Sequence, residues 1–194
     1  EKMGRYCFCD SFFDFWFRFV APNLSALELE NIESVKEKIT QDLNSFIGKK
    51  YEIVVKDTLK YLLGKTLNGV HMDFTEIGRW WDRSGNEIDI CAPCKDKIII
   101  GSVKWNESPL KVDDVKHLMD TSKFINDGRE RCFMMFSKNG FDEECIRFMK
   151  YFKVTYFTLK DIELLLGEVS ATQNIEIKKD DKQINLQSWI PLGT

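Results

Sequence analysis

The constraint that most limits the fold lies in two runs, Gly85-Asn86-Glu87-Ile88-Asp89-Ile90 and Ile98-Ile99-Ile100-Gly101-Ser102-Val103-Lys104-Trp105. Both read as β-strands, and they are close enough in sequence to be neighbours in one sheet. The first carries an acid inside an apolar run, and burying a carboxylate is expensive unless it is paired or hydrogen-bonded. The second is apolar on both faces, as in a central strand covered from either side, until it ends in a lysine. Side chains alternate along a strand. Glu87, Asp89 and Cys91 are thus expected on one face with Ile88 and Ile90 on the other, and Ser102 and Lys104 opposite Val103 and Trp105. The intervening turn sets Asp89 near Ser102, so acid, hydroxyl and lysine meet at one spot. The competing reading of Asp89 and Lys104 is a buried ion pair of structural use.

The pattern around these strands sets the fold class. Asp10 is positioned as the N-cap of an aromatic helix running to Val20, packing Phe12, Phe13, Trp16, Phe17 and Phe19 and stopped by Pro22. A short strand, Arg5 to Cys9, precedes it. Apolar residues at helical spacing give a long helix over Leu24 to Ile47, ended by Gly48, and a second from Lys49 to Leu63. Gly64 to Asp73 reads as a loop. Strands follow over Phe74–Asp82, Glu87–Ala92 and Lys97–Trp105, joined by turns. Helix Val112–Phe124, strand Cys132–Ser137, a helix from Phe141-Asp142 to Tyr151, strand Val154–Phe157 and helix Leu159–Leu166 complete the series. This order predicts an α/β fold: a mixed sheet flanked by helices, antiparallel first and parallel after the crossover. Three parts are expected: 1–47, a strand and a helical extension; 48–167, the main domain; and 168–194, a polar tail suited to a hairpin.

Composition removes several functional classes. The chain has 194 residues and a formal net charge of -3, so no global basic field advertises a nonspecific nucleic-acid coat. A locally basic cleft is still compatible with that balance. No apolar run approaches the roughly 20 residues of a membrane span, and the first residues lack the basic-then-apolar order of a signal peptide. A cytoplasmic location is expected. Cys91 and Cys94 form a Cys-x-x-Cys and Cys7 and Cys9 a Cys-x-Cys, but Cys132, Cys145, His71 and His117 supply no second pair at zinc spacing. Free thiols in a reducing compartment are expected.

The chemistry-bearing residues converge on phosphodiester hydrolysis. Asp89 is suited to hold Mg²⁺, which takes one or two carboxylates plus waters and phosphate oxygens. Glu52, on the preceding helix, is placed to approach the same cluster. Lys104 is suited to stabilise charge on the reacting phosphate. Arg79 is a candidate phosphate contact, and Trp80 and Trp81 are candidates to stack on bases; the same three residues also suit the cover of a sheet edge.

Glu52, Asp89 and Lys104, in this order of elements, resemble the PD-(D/E)xK nuclease superfamily with its αβββαβ core. More narrowly, the chain resembles the domain of unknown function found behind AAA-type ATPase modules in archaea and some bacteria. The likeness is carried by Arg5-Tyr6 with Phe15-Trp16-Phe17-Arg18-Phe19, by Tyr51-Glu52, by Ile77-Gly78-Arg79-Trp80-Trp81, and by Glu87-Ile88-Asp89-Ile90 with Val103-Lys104-Trp105. It runs from Arg5 to about Phe141 and leaves out the tail. It implies a restriction-endonuclease-like fold and a Mg²⁺-dependent DNA phosphodiester hydrolase, with Asp89 and Glu52 as metal ligands. It also implies DNA and an ATPase module as partners. The chain itself has no Gly-x-x-x-x-Gly-Lys-[Ser/Thr], so ATP is not expected to bind it. The departure is Gly101-Ser102-Val103-Lys104, where the family usually has Gly-Glu-Val-Lys. Ser102 is a poor Mg²⁺ ligand and is expected to impair activity. The alternative implied is a non-catalytic DNA-binding or partner-docking module regulated by the ATPase.

Overall fold

In the computed structural model, residues 10–167 are described. The expected strand at Arg5–Cys9 and the tail 168–194 lie outside them. Helix α1 spans Ser11–Phe15, started by Asp10, whose carboxylate accepts from the amides of Phe12 and Phe13. It does not stop as a regular helix at Val20. It passes into a π-helical turn, Trp16–Val20, and a 3₁₀ turn, Ala21–Asn23, that takes Pro22 in its first turn. Pro lacks an N–H, but the first residues of a helical turn need none, so the chain stays helical.

Of the five aromatic residues expected to pack here, only Phe19 is buried; Phe12, Phe13, Trp16 and Phe17 are substantially exposed. The packing is done instead by Phe15, Phe19 and Phe46, whose ring centroids lie 5.1 to 5.9 Å apart. The long helix also differs from expectation. Helix α2 is short, Leu24–Glu28, and the chain reverses at Glu30 with φ 58°. Helix α3 then runs unbroken for 30 residues, Ile32–Tyr61, straight through Gly48. The boundary drawn at 47/48 therefore falls inside a helix. Glycine costs a helix only about 1 kcal/mol relative to alanine. An added Cβ would meet the Trp105 Cβ at 3.4 Å, an ordinary contact, so the position does not require glycine.

After a small hairpin, β1 Thr66–Leu67 with β2 Val70–His71, come β3 Gly78–Trp81, β4 Glu87–Pro93 and β5 Lys97–Lys104. Helix α4 is Val112–Ser122, β6 Glu130–Ser137, α5 Glu143–Tyr151 and β7 Thr155–Thr158, with a helix α6 over 159–167. The main sheet has five strands in the order β3-β4-β5-β6-β7. β3, β4 and β5 are antiparallel, and β6 and β7 join in parallel through α4 and α5. This is the mixed α/β sheet expected, although β3 is shorter than the run Phe74–Asp82. The turn before β4 is held by the Asp82 carboxylate, which accepts from the amides of Ser84 and Asn86 and from Asn86 Nδ2.

Two apolar cores lie on opposite faces. One holds Tyr51, Val55 and Leu59 of α3 with Ile90, Ala92, Ile99, Val103, Phe136 and Phe157. The other holds Val115 and Leu118 of α4, Cys145 and Met149 of α5, with Ile88, Ile98, Ile100 and Met135. Thus Ile98, Ile99 and Ile100 alternate between the cores as a central strand should. β4 does not alternate as expected: Ile88 belongs to one core and Ile90 to the other. Gly78 pairs with Cys91 but Trp80 with Ile88, so β4 contains one extra residue, a β-bulge. One inserted residue flips the side chains beyond it to the other face.

Gly101 and Gly48 test this packing in opposite directions. A Cβ at Gly101 would lie 3.1 Å from Ile90 Cβ and 3.4 Å from the Met134 carbonyl oxygen. Gly101→Ala is expected to destabilise by about 1–3 kcal/mol. Gly48→Ala is expected to stabilise by roughly 0.5–1 kcal/mol, since its contact is ordinary and its helix propensity improves. Urea denaturation of both variants checks the pair.

Candidate functional site

The bulge places Asp89 where the β4–β5 ladder ends. Pairing runs from Pro93↔Ile98 to Ile90↔Gly101, and one residue further on the carboxylate of Asp89 replaces the main chain as acceptor. Its Oδ2 accepts from the Val103 amide at 2.8 Å and from Ser102 Oγ at 3.2 Å. An otherwise orphaned strand amide is thereby satisfied. Ser102 is buried, and Lys104 sits two residues on, half-buried, on the same side of β5.

Asp89, Ser102 and Lys104 line one cavity of about 220 Å³. Its other walls are the turn and start of β4 (Gly85, Asn86, Glu87, Ile88) and three residues of α4, His117, Leu118 and Thr121. Lys104 makes no ion pair among the described residues, so the structural Asp89–Lys104 pair does not form. What Asp89 bonds instead are the neutral donors of β5.

Glu52 approaches Asp89 from the α3 side and is not in the wall of this cavity. Arg79 stands between it and Glu87: Nη2 is 2.8 Å from Glu87 Oε1, and Nε is 3.6 Å from Glu52 Oε2. The latter is too long for a hydrogen bond, and Nε is buried without one. Burial, then the charge of Asp89, pushes the Glu52 carboxyl above its ordinary value, while Arg79 and Lys56 pull it down. The charges of Glu52 and Asp89 therefore interact even though the two side chains serve different neighbours.

The three candidate nucleic-acid contacts separate. Arg79 is engaged by carboxylates. Trp80 packs against the α4–α5 core, as a residue covering the sheet does. Trp81 is 62% exposed and paired with Glu87 at the edge of the sheet. Asp89 and Glu52 make a sparse donor set for Mg²⁺: one side chain already serves two hydrogen bonds, and the other lies beside Arg79. Among the described residues no group of three or more His, Cys, Asp or Glu converges as a metal site. Cys91, Cys94, Cys132 and Cys145 are free thiols, each pushed above its ordinary value chiefly by burial. No helix among the described residues is long and apolar enough to cross a membrane.

His117 and Thr121 escaped the sequence reading. They are four apart on α4 and so share a helix face. Only the tertiary crossover brings that face over Lys104. The sequence signal available was Val115 and Leu118 as the buried stripe, which fixes His117 at the stripe's margin.

Residues 16–118, just over half the chain, match the profile of a family described as archaeal and bacterial proteins of unknown function, DUF234. An uncharacterized protein of Methanocaldococcus jannaschii is 41% identical over 120 residues, covering 61% of this chain and 26% of that protein. The chain thus spans about a quarter of the length of this relative. No solved structure matches.

The electrostatics of Glu52 give a signed prediction. Its folded-state carboxyl holds its proton more tightly than the unfolded one, whose ordinary value is 4.5. The contribution of Glu52 to stability is therefore most favourable below that value and is lost as pH rises through the raised one. The stability of Glu52→Gln relative to the parent is expected to increase between about pH 4 and pH 7, as read by denaturation midpoints across that range.

Proposed function

We propose, from the premise that this chain belongs to the DUF234 family, that it is a nuclease-like domain that grips a DNA phosphodiester at the cavity of Asp89, Ser102 and Lys104. The observation that carries this reading is the shared cavity with a lysine amine in its wall that has no ion-pair partner among the described residues. An ammonium left unpaired beside a carboxylate-bearing strand end suits an anionic substrate with developing charge on phosphorus. The order of elements supports the reading too: α3, three antiparallel strands, α4 and a parallel strand follow the αβββαβ order of the restriction-endonuclease-like fold. In the plane of the sheet Asp89 and Lys104 stand on adjacent strands, at the ladder end where the chains part.

Each residue has a defined part. Lys104 meets a non-bridging phosphate oxygen and offsets its charge. Asp89, held by Val103 and Ser102, orients the attacking water. Ser102 fills the place of the second carboxylate. The residues present do not form a Mg²⁺ site of their own, so activity of this chain is weak, and a carboxylate at 102 is what would complete one. Glu52, as a member of the same acid set, reaches the reaction through its charge on Asp89. Arg79 is free for phosphate only after leaving Glu87. The relative's much greater length supports a module of a larger protein. A preceding AAA-type ATPase that regulates the domain, acting on DNA in the cytoplasm, completes this reading.

A second reading rests on Ser102 itself. Its hydroxyl donates to Asp89, so the site is satisfied with no metal ion, as in a descendant that binds DNA or docks a partner without cutting.

The decisive assay is cleavage of single- and double-stranded DNA in Mg²⁺ or Mn²⁺, with the parent chain beside Ser102→Glu. Cleavage by Ser102→Glu is expected to exceed the parent's by on the order of tenfold to a hundredfold. Loss of that gain in Ser102→Glu combined with Lys104→Ala assigns it to this cavity. DNA bound by both proteins and cut by neither selects the second reading. DNA neither bound nor cut overturns both.

A further inference from the structure

We propose that His117 is a second phosphate-contacting residue of this site. It presents an imidazole N–H from the helix side of the cavity to the phosphate group that Lys104 meets from the sheet side. The inference rests on the reading above and names the ligand group the cavity takes.

Size is the first argument. The cavity is about 220 Å³. That is below the roughly 300 Å³ at which pockets for whole small molecules begin, and equals about seven waters at ~30 Å³ each. One phosphate and its waters fit such a space.

Charge is the second. Of the groups facing the cavity, Asp89 is anionic and Glu87 is matched to Arg79. Lys104 alone would have to offset both Asp89 and an incoming phosphate. A further donor on the α4 wall would share that load; Thr121 and His117 both line it, and His117 carries the longer, ring-borne donor. Its neighbours leave it available. Asp120, one turn along α4, is hydrogen-bonded first of all by Lys123 at 2.6 Å and only secondarily feels His117, and Lys116 pairs with Asp113. His117 is exposed and has no bonding partner among the described residues.

Local structure is the third. Val115 and Leu118 are buried in the core beneath α4, which fixes the rotation of the helix. Lys111 donates its amide to Asp114 Oδ2 at 2.9 Å and so sets the first turn. The histidine is therefore held over the cavity by a packed helix rather than by a mobile loop.

The test uses the full chain, whose two histidines are His71 and His117. His71 lies on β2 against Thr66 and serves as an internal control. Imidazole ring resonances are followed by NMR during titration with inorganic phosphate and, separately, with a short single-stranded oligodeoxynucleotide. His117 is expected to shift and His71 to stay. His117→Ala is expected to weaken oligonucleotide binding about five- to tenfold, with unchanged thermal midpoint, and His117→Gln, which retains an N–H donor, to recover part of the loss. If Lys104→Ala weakens binding while His117→Ala does not and the His117 ring stays silent, the inference falls and the nuclease-like reading stands. If the chain neither binds nor cuts DNA yet phosphate shifts His117, that reading falls and the phosphate site stands. Silence of His117 toward both probes overturns the inference in every case.

Discussion

A carboxylate that takes a main-chain amide is what the site is built on. With regular alternation, Ile88 and Ile90 would lie on one face, and one core would lose an isoleucine. The bulge at Asp89 lets a single strand feed both: Ile88 goes under α4 and Ile90 under α3. The local cost is a ladder that stops early, leaving the Val103 amide without its carbonyl. Asp89 Oδ2 supplies the acceptor at 2.8 Å. A hydrogen bond to a charged group is worth about 1.5–3 kcal/mol, and an amide left unpaired at this depth would cost a similar amount. The acid is thus fixed in place by the needs of the sheet before any substrate is considered.

Charge divides across that strand. Arg79 lies between Glu52 and Glu87 and is hydrogen-bonded to Glu87, whereas burial and the charge of Asp89 still hold the Glu52 carboxyl above its ordinary value. On the α4 side Lys104 has no ion-pair partner among the described residues, and His117 lines the same cavity. Asp89 belongs electrostatically to both sides, since its charge raises the Glu52 carboxyl while its oxygen serves β5. Movement of Arg79 would therefore be felt in the cavity without touching it, through Glu52, Glu87 and then Asp89. Arg79 and Glu87 are partly exposed, so solvent screens part of this coupling.

The parts legible in sequence were those set by local pattern. Ile98-Ile99-Ile100 had to be a central strand, and Ser102 and Lys104 had to share a face, because strand periodicity alone decides both. Asp10 and Asp142 were readable as helix starts for the same local reason. The misread parts were tertiary. Gly48 looked like a helix end, and nothing near it in sequence announces that Trp105 packs against it. Phe12, Phe13 and Phe17 looked buried because they are aromatic, although burial depends on what covers them. The flip between Ile88 and Ile90 was hidden because a bulge shows only in the pairing with β3. His117 was invisible as a site residue because a crossover of many residues separates it from Lys104.

Ser102 is best understood from what its hydroxyl does. It donates to the oxygen that also receives the Val103 amide, so Asp89 has two fixed donors and needs no cation to be stable in place. A glutamate at 102 would have no proton to donate at neutral pH and would set a second negative charge against the first. Two carboxylates this close raise one another's pKa unless a cation lies between them. The glutamate form of the site is therefore incomplete without metal, whereas the serine form is complete without it. The serine trades affinity for a divalent ion against a geometry that is already satisfied, and it leaves Lys104 free for an anion rather than bound to a second acid. A cavity with one restrained carboxylate, one free ammonium and an imidazole across from it is better matched to holding a phosphate than to activating water through a metal.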